Sequence, residues 1–172
     1  MKRLLLVLAI ILVLLVTYVV LKNPRVGTKR PVVISEEATS SAEITQVTYI
    51  IDGDTIEVSS GRRVRYIGIN TPEIGGHGTK EECFGVIAKN ENTTLVSGKT
   101  VRLVSDVADK DEYGRLLRYV YVGNEFINDI LVRQGYAVAE PVKPDTLLAS
   151  EFLSAQNEAK KENRGLWTAC HK

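Results

Sequence analysis

Three β-rich runs crowded between Ile44 and Ile69 limit this chain more than any other feature. ITQVTYI (Ile44–Ile50), TIEV (Thr55–Val58) and RVRYIGI (Arg63–Ile69) carry β-branched and aromatic residues, and the last alternates polar and apolar side chains. DGDT and SSGRR connect them, which is turn chemistry. Short strands joined by tight turns form a meander that closes into a barrel. TVRLVSD (Thr100–Asp106) and RLLRYVYV (Arg115–Val122) add a fourth and a fifth strand.

Three segments read as helices. Glu81–Val96 has acids early, where the helix dipole favours them. EFINDILVRQG, ending at Gly135, places Phe126, Ile127, Ile130 and Leu131 on one apolar face, with Gly123 and Asn124 as its cap. Thr146–Asn163 turns Leu147, Leu148, Phe152, Leu153 and Ala159 toward the barrel. The expected class is a five-stranded β-barrel with about three packed helices, mainly β or α+β.

The N-terminus is of a different kind. Leu4–Leu21 is an uncharged apolar run of 18 residues between basic flanks. As a helix it would span about 27 Å, close to a bilayer core. It reads as a signal anchor or as a cleaved signal peptide, with no clean small-x-small site after Leu21. The organisation expected is an N-terminal segment over 1–21, a linker over 22–42 with a possible short strand at Pro31–Ile34, and one domain over 43–172. The expected location is the cell membrane with an extracytoplasmic domain, or secretion, and the body is expected to be monomeric. The formal charge of +1 hides an imbalance, because the first thirty residues hold six Lys and Arg and no acid. The remainder is net acidic, which excludes binding of polyanions through a broad basic surface. Two cysteines, Cys83 and Cys170, are too few for a cysteine-rich zinc site. They form one disulfide in an oxidising compartment or remain two thiols.

Three clusters can carry chemistry. Asp52-Gly53-Asp54 brings two carboxylates together, which suits a hard cation, although Asp-Gly is also ordinary turn chemistry. RYIGINTPE, from Arg65 to Glu73, puts a strand-borne arginine beside an oxygen-rich loop stiffened by Pro72. That suits a metal and phosphate site, or simply an Arg65–Glu73 ion pair. DEYGR delivers Arg115, a planar fork of donors for phosphate or one half of a surface ion pair.

Taken as a set, VTYIIDGDTIEV, VRYIGINTPE, DEYGRLLRYVYV and NDILVRQGYA strongly resemble the thermonuclease (staphylococcal-nuclease-like) family, in order and in spacing, over about Glu43–Trp167. The resemblance implies an OB-fold barrel and a calcium-dependent endonuclease that cleaves DNA and RNA, leaving 3′-phosphate ends. It implies that Asp54 is a direct metal ligand, Asp52 a water-mediated one, Asn70 the second direct position and Thr71 a backbone-carbonyl ligand. Glu73 matches the general base, Arg65 and Arg115 the phosphate-binding arginines, and Tyr113 a tyrosine near the phosphate. Asn70 departs from the family pattern, which has Asp there. The site thereby loses one negative charge, so another divalent cation can be preferred. Glu112 stands where a Lys is frequent. A single clamp of this kind suits single-stranded or frayed nucleic acid, and the rival reading is an OB module that binds without cutting.

Overall fold

A computed structural model describes residues 42–76, Gly78 and residues 80–170. The apolar run Leu4–Leu21, the strand expected at Pro31–Ile34 and the linker short of Ala42 lie outside the described residues. No helix among the described residues is long and apolar enough to cross a membrane.

Strand β1 (Ala42–Ile50) organises the barrel because two neighbours share it. Its first half pairs antiparallel with β5 (Thr100–Val104), Ala42 facing Val104 and Gln46 facing Thr100. Its second half pairs with β2 (Thr55–Val58), Val47 facing Val58 and Ile50 facing Ile56. The register slips between Val47 and Tyr49, and such an irregularity bends a strand so that it can serve two sheets. β2 continues antiparallel into β3 (Arg63–Tyr66), and β5 into β6 (Leu116–Val122). Parallel pairing of β3 with β6, Val64 facing Leu116, closes five strands into the expected OB barrel. Closure removes the unpaired edges that a five-stranded sheet would expose.

Strands and helices both supply the core. Ile56, Val58, Val64, Val101, Leu103 and Val120 are fully buried within it. Helix α1 (Gly85–Val96) contributes Ala88 and Val96; α2 (Ile127–Arg133) contributes Ile127, Leu131 and Val132; α3 (Ala149–Lys161) contributes Phe152, Ala155 and Ala159. A short α4 (Leu166–Ala169) follows.

Several boundaries differ from expectation. RVRYIGI is not one strand: β3 ends at Tyr66, and β4 (Ile69–Asn70) pairs instead with β8 (Val138–Ala139). Gly68 breaks the alternation at φ +78°, and a Cβ there would lie 2.4 Å from the Phe152 ring, so only glycine fits. Ile67 and Ile69 therefore join Tyr66 in the core. Glu81 and Glu82 fall outside α1. Glu125 and Phe126 form β7, hairpinned onto β6 through Gly123 at φ +58°, so Gly123 and Asn124 turn a hairpin rather than cap a helix. Leu147 precedes α3 and is 72% exposed, and Leu153 is 45% exposed; neither faces the barrel.

Candidate active site

The turn after β1 places the first carboxylates. Asp52 Oδ1 accepts the Asp54 amide at 3.0 Å, and Gly53 passes so close to Thr71 that a Cβ would meet its hydroxyl at 2.6 Å. Turn and carboxylate-pair readings thus describe the same residues: Asp52 shapes the turn, and the turn buries Asp54. Asp54 Oδ1 accepts Thr55 Oγ1 at 3.2 Å, and Oδ2 accepts the Thr71 amide at 2.8 Å. Burial pushes its carboxyl up to about 6; the nearby Arg65 opposes that rise and Asp52 adds to it.

Arg65 lies across the same oxygens. Its Nη1 donates to the carbonyls of Tyr66 (2.9 Å) and Ile69 (2.8 Å) and stands 3.1 Å from Asp54 Oδ2, while Nη2 donates to Asn70 Oδ1 at 2.9 Å. The ion pair considered between Arg65 and Glu73 is not formed. Thr71 is buried, and its side chain packs on Gly53.

Glu73 follows Pro72 on an exposed loop. Its amide donates to Glu82 Oε2 at 3.0 Å, and its carbonyl accepts the Glu82 amide at 2.9 Å. Arg115 enters from β6's side of the barrel, after the turn at Gly114. Its Nε donates to Asp111 Oδ2 at 2.6 Å and its amide to Asp111 Oδ1 at 2.9 Å. Burial raises the Asp111 carboxyl, but these bonds and that from the Tyr113 amide outweigh it and hold it below its ordinary value. The ion-paired reading of Arg115 holds, but through Nε; among the described residues no protein acceptor engages its η nitrogens. Tyr113 is 76% exposed, with its ring centroid 5.4 Å from the Arg115 guanidinium carbon.

These groups open into one cleft of about 620 Å³, lined by Asp52, Asp54, Arg65, Asn70, Glu73 and Arg115. Thr71 and Tyr113 are not part of its lining. Lys110, Glu140 and Lys143 also line it and were not anticipated, because they come from loops about 30 residues apart in sequence. Two buried asparagines brace the walls. Asn92 on α1 donates to the Asp52 carbonyl at 3.1 Å and accepts the Tyr66 hydroxyl at 3.0 Å. Asn128 on α2 joins the Val120 amide to the Ile67 carbonyl, both at 2.9 Å. A polar residue on an apolar helix face was the available signal for both. Cys83 and Cys170 are joined in a disulfide, Cα–Cα 5.8 Å.

The donors fit a hard divalent cation. Asp52, Asp54 and Asn70 bring carboxylate and amide oxygens to the cleft, the donor type such a cation takes. Among the described residues no group of three or more Asp, Glu, His or Cys side chains is placed to hold a metal ion.

Residues 63–169 match the family described as staphylococcal nuclease homologue. Over 124 residues the chain is 36% identical to the thermonuclease of Staphylococcus intermedius, covering 70% of this chain and 74% of that one. It is 33% identical to the thermonuclease of Staphylococcus hyicus over 72% and 75% of the two chains. Endonuclease YncB of Bacillus subtilis is 36% identical over 69% of this chain and 58% of its own. A closed barrel with two arginines and a carboxylate cluster in one cleft, on this relationship, defines a nuclease-type hydrolase. The chain belongs to the staphylococcal nuclease family.

Proposed function

We propose that the protein is a metal-dependent endonuclease that hydrolyses phosphodiester bonds of DNA and RNA and leaves 3′-phosphate ends. One observation carries this reading: Arg65, Arg115, Glu73 and Asp54 line a single cleft. A pure binding module needs stacking aromatics more than a carboxylate between two guanidinium groups. Asp54, Asn70 and the Thr71 carbonyl would hold the cation, with Asp52 acting through water; calcium suits the donors, and another divalent ion is admissible given Asn70. When bound, such an ion supplies charge at a phosphate oxygen and favours ionisation of water.

The protein's own groups do the rest. Arg65 and the η nitrogens of Arg115 bind the non-bridging oxygens and stabilise charge that grows there. Glu73, whose loop lines the same cleft, accepts a proton from the attacking water. The water oxygen bonds to phosphorus, the bond to the 5′ oxygen breaks, and that oxygen takes a proton from solvent. Products are a 3′-phosphate and a 5′-hydroxyl. Tyr113, exposed beside Arg115 and outside the cleft lining, is read as the aromatic neighbour of the bound nucleotide. A single phosphate clamp of this kind suits flexible single-stranded or frayed substrates.

The disulfide supports residence in an oxidising compartment. With the apolar segment Leu4–Leu21, we read the protein as exported, either anchored or released, with a monomeric body. The test is hydrolysis of denatured DNA by the full chain with calcium, with other divalent ions and with chelator, beside Glu73→Gln. Cleavage lost on chelation and lowered about 10² to 10⁴-fold in the variant is expected. A folded protein that binds DNA and cleaves none would make it an OB binding module.

A further inference from the structure

The loop that presents Glu73 is held by a partner the reaction itself does not use. We propose that Glu82 is the positioning residue for Glu73, fixing the backbone from which the proton acceptor reaches the cleft. This rests on the reading of Glu73 as that acceptor.

One residue grips both polar groups of the Glu73 backbone. The Glu82 carboxylate takes the Glu73 amide at 3.0 Å, and the Glu82 amide gives its proton to the Glu73 carbonyl at 2.9 Å. Only the Glu73 side chain is then left to rotate. A carboxylate accepting a backbone N–H is a charge-assisted bond, stronger than the neutral kind. Gly85 seals the contact: a Cβ there would lie 2.3 Å from the Glu73 carbonyl oxygen, so the backbones touch where a side chain would separate them.

A clamp positions only if it is itself fixed, and the segment carrying Glu82 is over-determined. Cys83 is bonded to Cys170. Phe84 sits at φ +76°, a conformation that a bulky residue keeps only when its surroundings impose it. Its ring stacks on Tyr136 with centroids 5.7 Å apart. Gly85 then opens α1, whose Asn92 braces the carbonyl of Asp52. Glu73 and the carboxylate turn are thus referenced to the same helix.

The experiment measures kcat and KM on single-stranded DNA for the full chain and for Glu82→Ala, Glu82→Gln, Glu73→Gln and the double variant Glu73→Gln with Glu82→Ala, together with amide exchange at Glu73. Displacing a reacting group by about 1 Å costs up to about 100-fold. Glu82→Ala should therefore lower kcat about 10- to 100-fold with KM unchanged. Glu82→Gln keeps an acceptor oxygen and should stay within about threefold of the parent. In the Glu73→Gln background Glu82→Ala should cost nothing more, because it acts only through the missing carboxylate. Exchange at the Glu73 amide should quicken about tenfold or more in Glu82→Ala. Equal losses in both backgrounds, a loss carried in KM, or unchanged exchange would overturn the proposal. A parent chain that does not cleave at all would overturn the nuclease reading instead, while the exchange measurement still decides whether Glu82 holds Glu73.

Discussion

Arg65 stands between Asp54 and Asn70, with one η nitrogen 3.1 Å from the carboxylate and the other 2.9 Å from the amide oxygen. A fixed cation therefore already touches the oxygens assigned to a divalent ion, and the charge balance of the site depends on which of these groups are ionised.

Asp54 should destabilise the metal-free protein at neutral pH. Its carboxyl titrates near 6 when folded and near 3.8 in its ordinary state. Between those values the folded chain binds more protons than the unfolded one, so stability falls as pH rises from about 4 to about 6 and stays lower above. Asp54→Asn should remove that slope and raise metal-free stability at pH 7 by up to about 3 kcal/mol, while abolishing metal-dependent cleavage. Urea unfolding at pH 4.5 and pH 7 with chelator measures it. A variant less stable than the parent at pH 7 would mean that the Arg65 pairing outweighs burial.

Asn70→Asp restores a second directly placed carboxylate. Calcium affinity, followed by titration calorimetry, should tighten about tenfold or more, since affinity at oxygen sites follows ligand charge. Unchanged affinity would place the ion elsewhere in the cleft.

Arg115→Lys keeps the charge but loses the fork. Asp111 holds the present side chain through Nε and leaves the terminal nitrogens for substrate, a division of labour that an ammonium cannot copy. We expect kcat/KM on single-stranded DNA to fall about 10- to 100-fold with little change in thermal stability. A loss of stability with full activity would make the residue structural.

Asn128→Ala leaves the buried Val120 amide and Ile67 carbonyl without partners. Each orphaned group costs about 1 to 3 kcal/mol, so unfolding in urea should shift by roughly 3 kcal/mol. Activity per folded molecule should also fall, because Ile67 lines the cleft.

The barrel was legible because its strands are short, alternate and follow one another through obvious turns; TIEV occupies the span read from sequence. What escaped were places where a distant element decides a local conformation. Phe152 of α3 fills the space beside Gly68 and so ends β3 early. Glu81 and Glu82 look like the acidic first turn of a helix, yet Glu82 is engaged with Glu73 and the helix starts three residues later. Leu147 and Leu153 fit an apolar periodicity, but Asp106 accepts the Leu147 amide and sets that residue before the helix, at the surface. Asp52, Asp54, Arg65, Glu73 and Arg115 stood out in the sequence, whereas Lys110, Glu140 and Lys143, which also line the cleft, did not. Partners were not legible: the sequence offered Glu73 as an ion-pair partner for Arg65, whereas the turn that buries Asp54 brings that carboxylate to Arg65 instead.

The Cys83–Cys170 bond joins residues 87 positions apart, so the polypeptide from one to the other is a covalent ring. Arg115 lies inside that ring; Asp54, Arg65 and Glu73 lie on the arm outside it. The turn carrying Tyr113 is an exposed tip of the kind proteases cut first. A single cut there would open the ring without releasing a fragment, and both sides of the cleft would stay tethered. Such a nicked molecule would travel as one species in a gel until a reducing agent parted it into two, so a cut at this exposed turn would leave the two halves of the site joined.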